Sequence, residues 1–114
     1  MAKIAIYHNP RCSKSRETLA LLEEQGVKPE IVLYMDNPLT EGELSLLLVK
    51  LGLRPSELVR RKEAVFKDLG LKDASEDAVL AAMVENPRLI ERPIVVNDDK
   101  AALGRPPEAV LAIL

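Results

Sequence analysis

The 114-residue chain predicts an α/β domain built on one mixed four-stranded sheet, and three observations carry that expectation. A short apolar run opens the chain and a second follows one helical segment later, the spacing of a parallel βαβ unit with a right-handed crossover. A third run, Ile94-Val95-Val96, is followed by Asn97-Asp98-Asp99 and then by Lys100 to Leu103, which reads as an antiparallel hairpin. Between these two halves the pattern is helical.

In chain order, Lys3 to Tyr7 reads as a buried strand of β-branched residues and a tyrosine, bounded by His8-Asn9-Pro10. Ser13 is placed to N-cap the next helix, in which Leu19, Ala20 and Leu22 lie toward one side and Gly26 is the C′ residue. Ile31 to Tyr34 supplies the second strand, and Asp36-Asn37-Pro38 breaks the chain. Thr40 with Glu43 forms a capping box for a helix running through Leu44, Leu47, Leu48 and Leu51 to Gly52. A short helical turn follows Pro55-Ser56. Val59 to Glu63 carries three cations in a row, which read as a solvated face. Ser75 caps a helix through Val79, Leu80 and Met83 that stops at Asn86-Pro87, and Arg92-Pro93 leads into the third strand. Gly104-Arg105-Pro106-Pro107 opens a closing helix, Glu108 to Leu114, with proline where a first turn tolerates it. The order βαβ, helices, ββα is the thioredoxin-like arrangement: one domain over residues 1–114 with a helical insertion at about 38–88.

Aromatic residues make up 3% of the chain, so Leu, Ile, Val and Ala must build the core. A net charge of −2 argues against nonspecific binding to nucleic acid or to an anionic membrane, because a basic excess supplies that affinity. One cysteine excludes an intramolecular disulfide, a four-thiolate zinc site and a CxxC redox pair. The chain offers CxxS instead, with Ser15 where a resolving cysteine would stand, so a redox-active thiol here must be regenerated by another molecule. Residues 1–7 are too short for a signal peptide and no run is long enough to span a bilayer. The expectation is a cytoplasmic monomer with no metal and no bound cofactor.

The lone Cys12 falls where the first strand gives way to a helix. The first turn of a helix has N–H groups without intrahelical partners and about half a positive charge, so it binds anions and stabilises a thiolate. Most free cysteines are small buried hydrophobes. Arg11, Lys14 and Arg16 favour the nucleophile instead, since an inert core cysteine has no use for three solvated cations beside it. Arg60, Arg92 and Arg105 are candidates to hold a tetrahedral oxyanion, because the planar guanidinium gives paired hydrogen bonds and keeps its charge. His8 admits two readings, a turn residue bonded to backbone or, four residues before Cys12, an electrostatic partner as His⁺.

The stretch His8-Asn9-Pro10-Arg11-Cys12-Ser13-Lys14-Ser15-Arg16 resembles the HNPxCxxSR motif of the glutaredoxin-dependent arsenate reductases. Leu58-Val59-Arg60, Glu91-Arg92-Pro93-Ile94-Val95-Val96 and Gly104-Arg105-Pro106 match the other signatures of that family, and the match runs essentially from end to end. The resemblance implies that Cys12 attacks arsenate, that Arg60, Arg92 and Arg105 bind the oxyanion, and that His8 and Ser15 tune the thiolate. It also implies a thioredoxin-like fold with Pro93 as its cis-proline, glutathione as reductant and glutaredoxin as partner. Arg11 and Lys14 fill positions that vary in the family, and nothing functional carries over to them.

Two other readings compete. One is a general glutathione-dependent thiol reductase on the same fold. The other is a non-enzymatic regulator resembling the Spx proteins, which bind RNA polymerase; those typically carry CxxC and often lack the full arginine set, so CxxS with Arg60, Arg92 and Arg105 favours the enzyme. A phosphatase loop is excluded, because CxxxxxR needs arginine at position 18, which is Thr18.

Overall fold

A computed structural model describes residues 4–114; Lys3, placed by the sequence at the start of the first strand, lies outside them. The chain forms two compact units, one running to Asn37 and resuming over Arg92–Leu114, the other Pro38–Glu91.

The first unit holds the sheet, whose strands β1 (Ile4–Tyr7), β2 (Glu30–Val32), β3 (Ile94–Asn97) and β4 (Lys100–Leu103) lie in the order β2-β1-β3-β4. β1 and β2 are parallel while β3 is antiparallel to both β1 and β4, so the sheet is mixed and thioredoxin-like. Alternate residues of a strand share a face. Ile4 and Ile6 of β1 and Val95 of β3 accordingly meet Leu22 of α1 (Ser13–Glu24) and Val110 in one apolar cluster, with Leu19, Val27 and Ile113 packed against it. Full burial of an aliphatic side chain of this kind is worth about 1.5–3 kcal/mol. α1 ends as its sequence predicts: Gly26 takes a φ of 77°, and Gly26 and Val27 donate back to the carbonyls of Glu23 and Leu22.

Two boundaries differ from expectation. β2 begins at Glu30 and stops at Val32 rather than running from Ile31 to Tyr34, because Asp36 and Asn37 both bond the Leu33 carbonyl and turn the chain away. Tyr34 leaves the sheet yet is buried. The closing segment, Pro107–Ile113, is a 3₁₀-helix and not an α-helix, with Ala109 donating to Pro106 three residues back. Adjacent prolines remove two donors just where an α-helix would have to nucleate.

The second unit is helical: α2 (Glu41–Leu51), α3 (Pro55–Leu58), α4 (Ala64–Asp68) and α5 (Glu76–Glu85). The capping box of α2 forms in both directions, Glu43 N–H to Thr40 Oγ1 at 3.2 Å and Thr40 N–H to Glu43 Oε1 at 3.0 Å, and Gly52 closes the helix in the left-handed conformation. Ser75 Oγ accepts from Ala78 N–H at the start of α5, which packs on α2 and α3. Both the N–H and the hydroxyl of Ser56 donate to Glu76, each at 2.8 Å, fastening α3 to α5. α4 and the 3₁₀ turn Leu71–Asp73 have no counterpart in the sequence reading; they bury Phe66 and Leu71. Among the described residues no helix is long and apolar enough to cross a membrane.

Candidate active site

Register brings three segments to one end of the sheet. Tyr7, the last residue of β1, pairs with Ile94, the first of β3, and Ile94 pairs with Leu103, the last of β4. The loop from His8 to Cys12, the Arg92-Pro93 segment and Gly104-Arg105 therefore emerge side by side. Gly104 N–H donates to the Pro93 carbonyl at 2.9 Å, and Arg105 Nη1 donates to the Arg92 carbonyl at 3.0 Å. Arg92–Pro93 is cis, as the family resemblance implies; Arg105–Pro106 is cis as well, without any such forewarning. The approach is close enough to require glycine at 104, where a Cβ would stand 2.6 Å from Thr18 Oγ1 and 2.8 Å from Pro93 Cγ.

Cys12 and not Ser13 is the N-cap of α1; Ser13 is already its first helical residue. The turn explains the shift: Cys12 N–H donates to the Asn9 carbonyl and the Cys12 carbonyl accepts from Arg16 N–H, so the helix starts directly after the cysteine. No capping hydrogen bond of ordinary geometry forms, and the sulfur lies where the second and third N–H groups of the helix act on it. Burial, the largest single influence, raises the thiol pKa. Against it work the Ser15 N–H, the Arg92 charge, the Lys14 N–H and a hydrogen bond from Arg92, and together they hold Cys12 below its ordinary value.

The helix end thus acts as the sequence suggests, but the responsible cation is a different one. Arg11 is exposed, Lys14 pairs with Glu17 at 3.5 Å, and Arg16 Nη1 donates to the Pro10 carbonyl at 2.8 Å. Arg92, eighty residues along the chain, is the cation that acts on the sulfur. Its Nε and Nη1 are buried with no hydrogen-bond partner in the protein. Buried donors are nearly always satisfied, and an unpaired one costs about 1–3 kcal/mol, so two on one guanidinium mark a place that an anion would complete.

His8 and Ser15 are buried together, with His8 Nδ1 2.6 Å from Ser15 Oγ, which also accepts from Asn9 N–H at 3.0 Å. Ser15 therefore reaches the sulfur through its backbone, while its hydroxyl holds the loop. Burial first, then the Arg16 charge, lowers the His8 pKa, which favours the neutral imidazole.

Arg60 belongs to the helical unit. Its Nη1 donates to Glu63 at 2.7 Å and its Nε to Glu91 at 3.2 Å, so two carboxylates already engage it. Arg61, beside it, lies 5.6 Å from the Phe66 ring centroid, and Lys62 is exposed. Asn9, Arg16 and Gly104 belong to the quoted motifs but carry no assigned site-building role in the sequence; in the structure Asn9 Oδ1 accepts Arg11 N–H, Arg16 holds the Pro10 carbonyl and Gly104 allows the close approach of Pro93 and Thr18. Among the described residues no group of three or more His, Cys, Asp or Glu could hold a metal ion.

A single thiol at a strand-to-helix turn, beside a cis-proline segment whose arginine buries its Nε and Nη1, places the protein among single-cysteine thioredoxin-like proteins. The chain belongs to the ArsC family, whose model matches residues 7–113. It is 56% identical over 115 residues to an Escherichia coli protein named "Uncharacterized protein YfgD", covering 98% of this chain and 97% of that one. It is 49% identical over 114 residues to the Haemophilus influenzae protein named "Arsenate reductase", covering 97% and 98%. Among solved structures, "Arsenate reductase from Vibrio cholerae" superposes with a TM-score of 0.95 at 51% identity, covering 99% of this chain and 98% of that one.

Proposed function

We propose that the protein is an arsenate reductase that uses Cys12 as a thiolate nucleophile and glutathione as the reductant. The supporting observation is a thiol with a lowered pKa next to an arginine whose buried Nε and Nη1 have no partner in the protein. Relatives of 47–49% identity that bear the name arsenate reductase point the same way.

In the first step the thiolate forms a sulfur–arsenic(V) bond and hydroxide leaves arsenic. Arg92 and the N–H groups at the start of α1 offset the charge of the remaining oxygens, which are fixed donors needing no reorganisation. Arg105, on the neighbouring segment and bonded to the Arg92 carbonyl, supplies a second guanidinium; the family resemblance assigns Arg60 to the oxyanion as well. Glutathione then attacks the Cys12 sulfur. A sulfur–sulfur bond forms, the sulfur–arsenic bond breaks, and its electron pair goes to arsenic, which leaves as arsenite. With no second cysteine in the chain, the mixed disulfide is resolved by an outside thiol, for which glutaredoxin is the proposed donor. Such a cycle operates in a reducing compartment, here the cytoplasm, and asks for no partner subunit.

The engagement of Arg60 by Glu63 and Glu91 favours a second reading, a general glutathione-dependent thiol reductase with a smaller oxyanion clamp. Turnover measured with arsenate, glutathione and glutaredoxin, omitting each in turn, separates the two. Arsenate reduction requires all three, with one glutathione adduct on Cys12 seen by intact mass. Disulfide reduction that proceeds at the same rate in the presence or absence of arsenate, with no arsenite formed, supports the second reading.

A further inference from the structure

The loop presenting Cys12 has no regular secondary structure between Tyr7 and Ser13, yet it is tied at several points to the first turn and a half of α1. Ser15 Oγ accepts from the Asn9 N–H, Arg16 N–H donates to the Cys12 carbonyl, and Arg16 Nη1 donates to the Pro10 carbonyl at 2.8 Å. Arg16 holds two parts of the loop, the Cys12 carbonyl through its backbone and the Pro10 carbonyl through its side chain. Pro10 has no N–H, so its carbonyl is the only backbone group through which that residue can be fastened.

We propose that Arg16 is a positioning residue, whose guanidinium anchors the Pro10 carbonyl and so holds the Cys12 sulfur over the N–H groups of Lys14 and Ser15. A charge-assisted hydrogen bond to a carbonyl is among the stronger ties an exposed side chain can make. The action of N–H dipoles on a thiolate falls off within the first helical turn, so a loop free to lift the sulfur loses most of it. The Arg16 charge, held beside the loop by its bond to the Pro10 carbonyl, also helps lower the His8 pKa. Its role rests on Cys12 acting as a thiolate, not on arsenate as the substrate, and the test therefore uses no arsenate.

The charged or titratable groups acting on the sulfur or on His8 are Arg92 and Arg16, and iodoacetamide alkylation of Cys12 against pH reads the sulfur while histidine NMR reads His8. In Arg16→Ala the alkylation midpoint rises and the rate at pH 7 falls about tenfold, the lower bound for losing a charge-assisted bond that acts on the reacting group. Arg16→Lys keeps the charge without the planar fork. It should leave the His8 pKa low while still slowing alkylation. Arg11→Ala, which removes an exposed cation from the same loop but no side-chain bond, stays within twofold of the parent. Unchanged alkylation in Arg16→Ala overturns the proposal, as does full restoration by lysine, which would make charge rather than anchoring responsible. Should Arg16→Ala fail to fold, the lysine variant alone decides between these outcomes. Failure of the arsenate assay with this alkylation pattern intact would count against the substrate only.

Discussion

The Ser15 hydroxyl lies 2.6 Å from Nδ1 of His8, and both side chains are buried. Because the same oxygen accepts the Asn9 N–H, removing it strands two polar groups in one change. Ser15→Ala is expected to cost about 1–3 kcal/mol for each buried group left unpaired, measured by urea unfolding. The Ser15 N–H survives the substitution, so the alkylation midpoint of Cys12 should move less than in Arg92→Gln. A shift as large as that of Arg92→Gln would place the hydroxyl itself on the sulfur.

His8 gives stability an acid limb. Its pKa is depressed in the folded state, so below about 6.5 the unfolded chain binds the proton more readily. The contribution is complete above that value and is lost as pH falls through it toward the folded pKa. The thermal midpoint should therefore drop between pH 7 and pH 5, and His8→Gln should flatten that part of the profile. An identical acid slope in the variant would assign it to carboxylates elsewhere.

Much of this architecture is legible in the residues. The Thr40–Glu43 box, Gly26, Ser75 and the hairpin over Asp98-Asp99 each act through neighbours a few positions away, and each forms as its local chemistry dictates. The misses have a common physical origin. The extent of β2 depends on where Leu33 turns the chain, and α4 is too short for a helical period to be seen. In the site, sequence proximity points to Arg11, Lys14 and Arg16 as the cations around Cys12, yet register across β1 and β3 delivers Arg92. Nor does the sequence disclose that Arg60 is engaged by Glu91, thirty-one residues away.

Arg92 and Arg60 are accordingly expected to differ. Arg92→Lys removes the planar fork whose donors are unpaired, and should lower kcat/KM for arsenate about tenfold to a hundredfold. Arg60→Lys breaks two carboxylate bonds, so a fall in unfolding free energy of about 1 kcal/mol should accompany any kinetic change. Steady-state kinetics and urea unfolding on the same preparations check the ranking, and equal kinetic losses without loss of stability would reverse it.

Gly104→Ala tests how tightly the site is assembled. The new Cβ meets Thr18 Oγ1 at 2.6 Å and Pro93 Cγ at 2.8 Å, so the contact must open. Overpacking of this kind costs about 1–3 kcal/mol, read by urea unfolding. An unchanged midpoint would show that the segments before β3 and after β4 part without penalty.

Cys12 is a thiolate held by the start of α1 and by Arg92 if the pH dependence of its alkylation by iodoacetamide is shifted to low pH. As the only thiol in the chain it can be followed by intact mass without ambiguity. The midpoint should fall below ~8.5, the free-thiol value, and rise toward it in Arg92→Gln. A midpoint at or above ~8.5 in the parent protein would contradict the account.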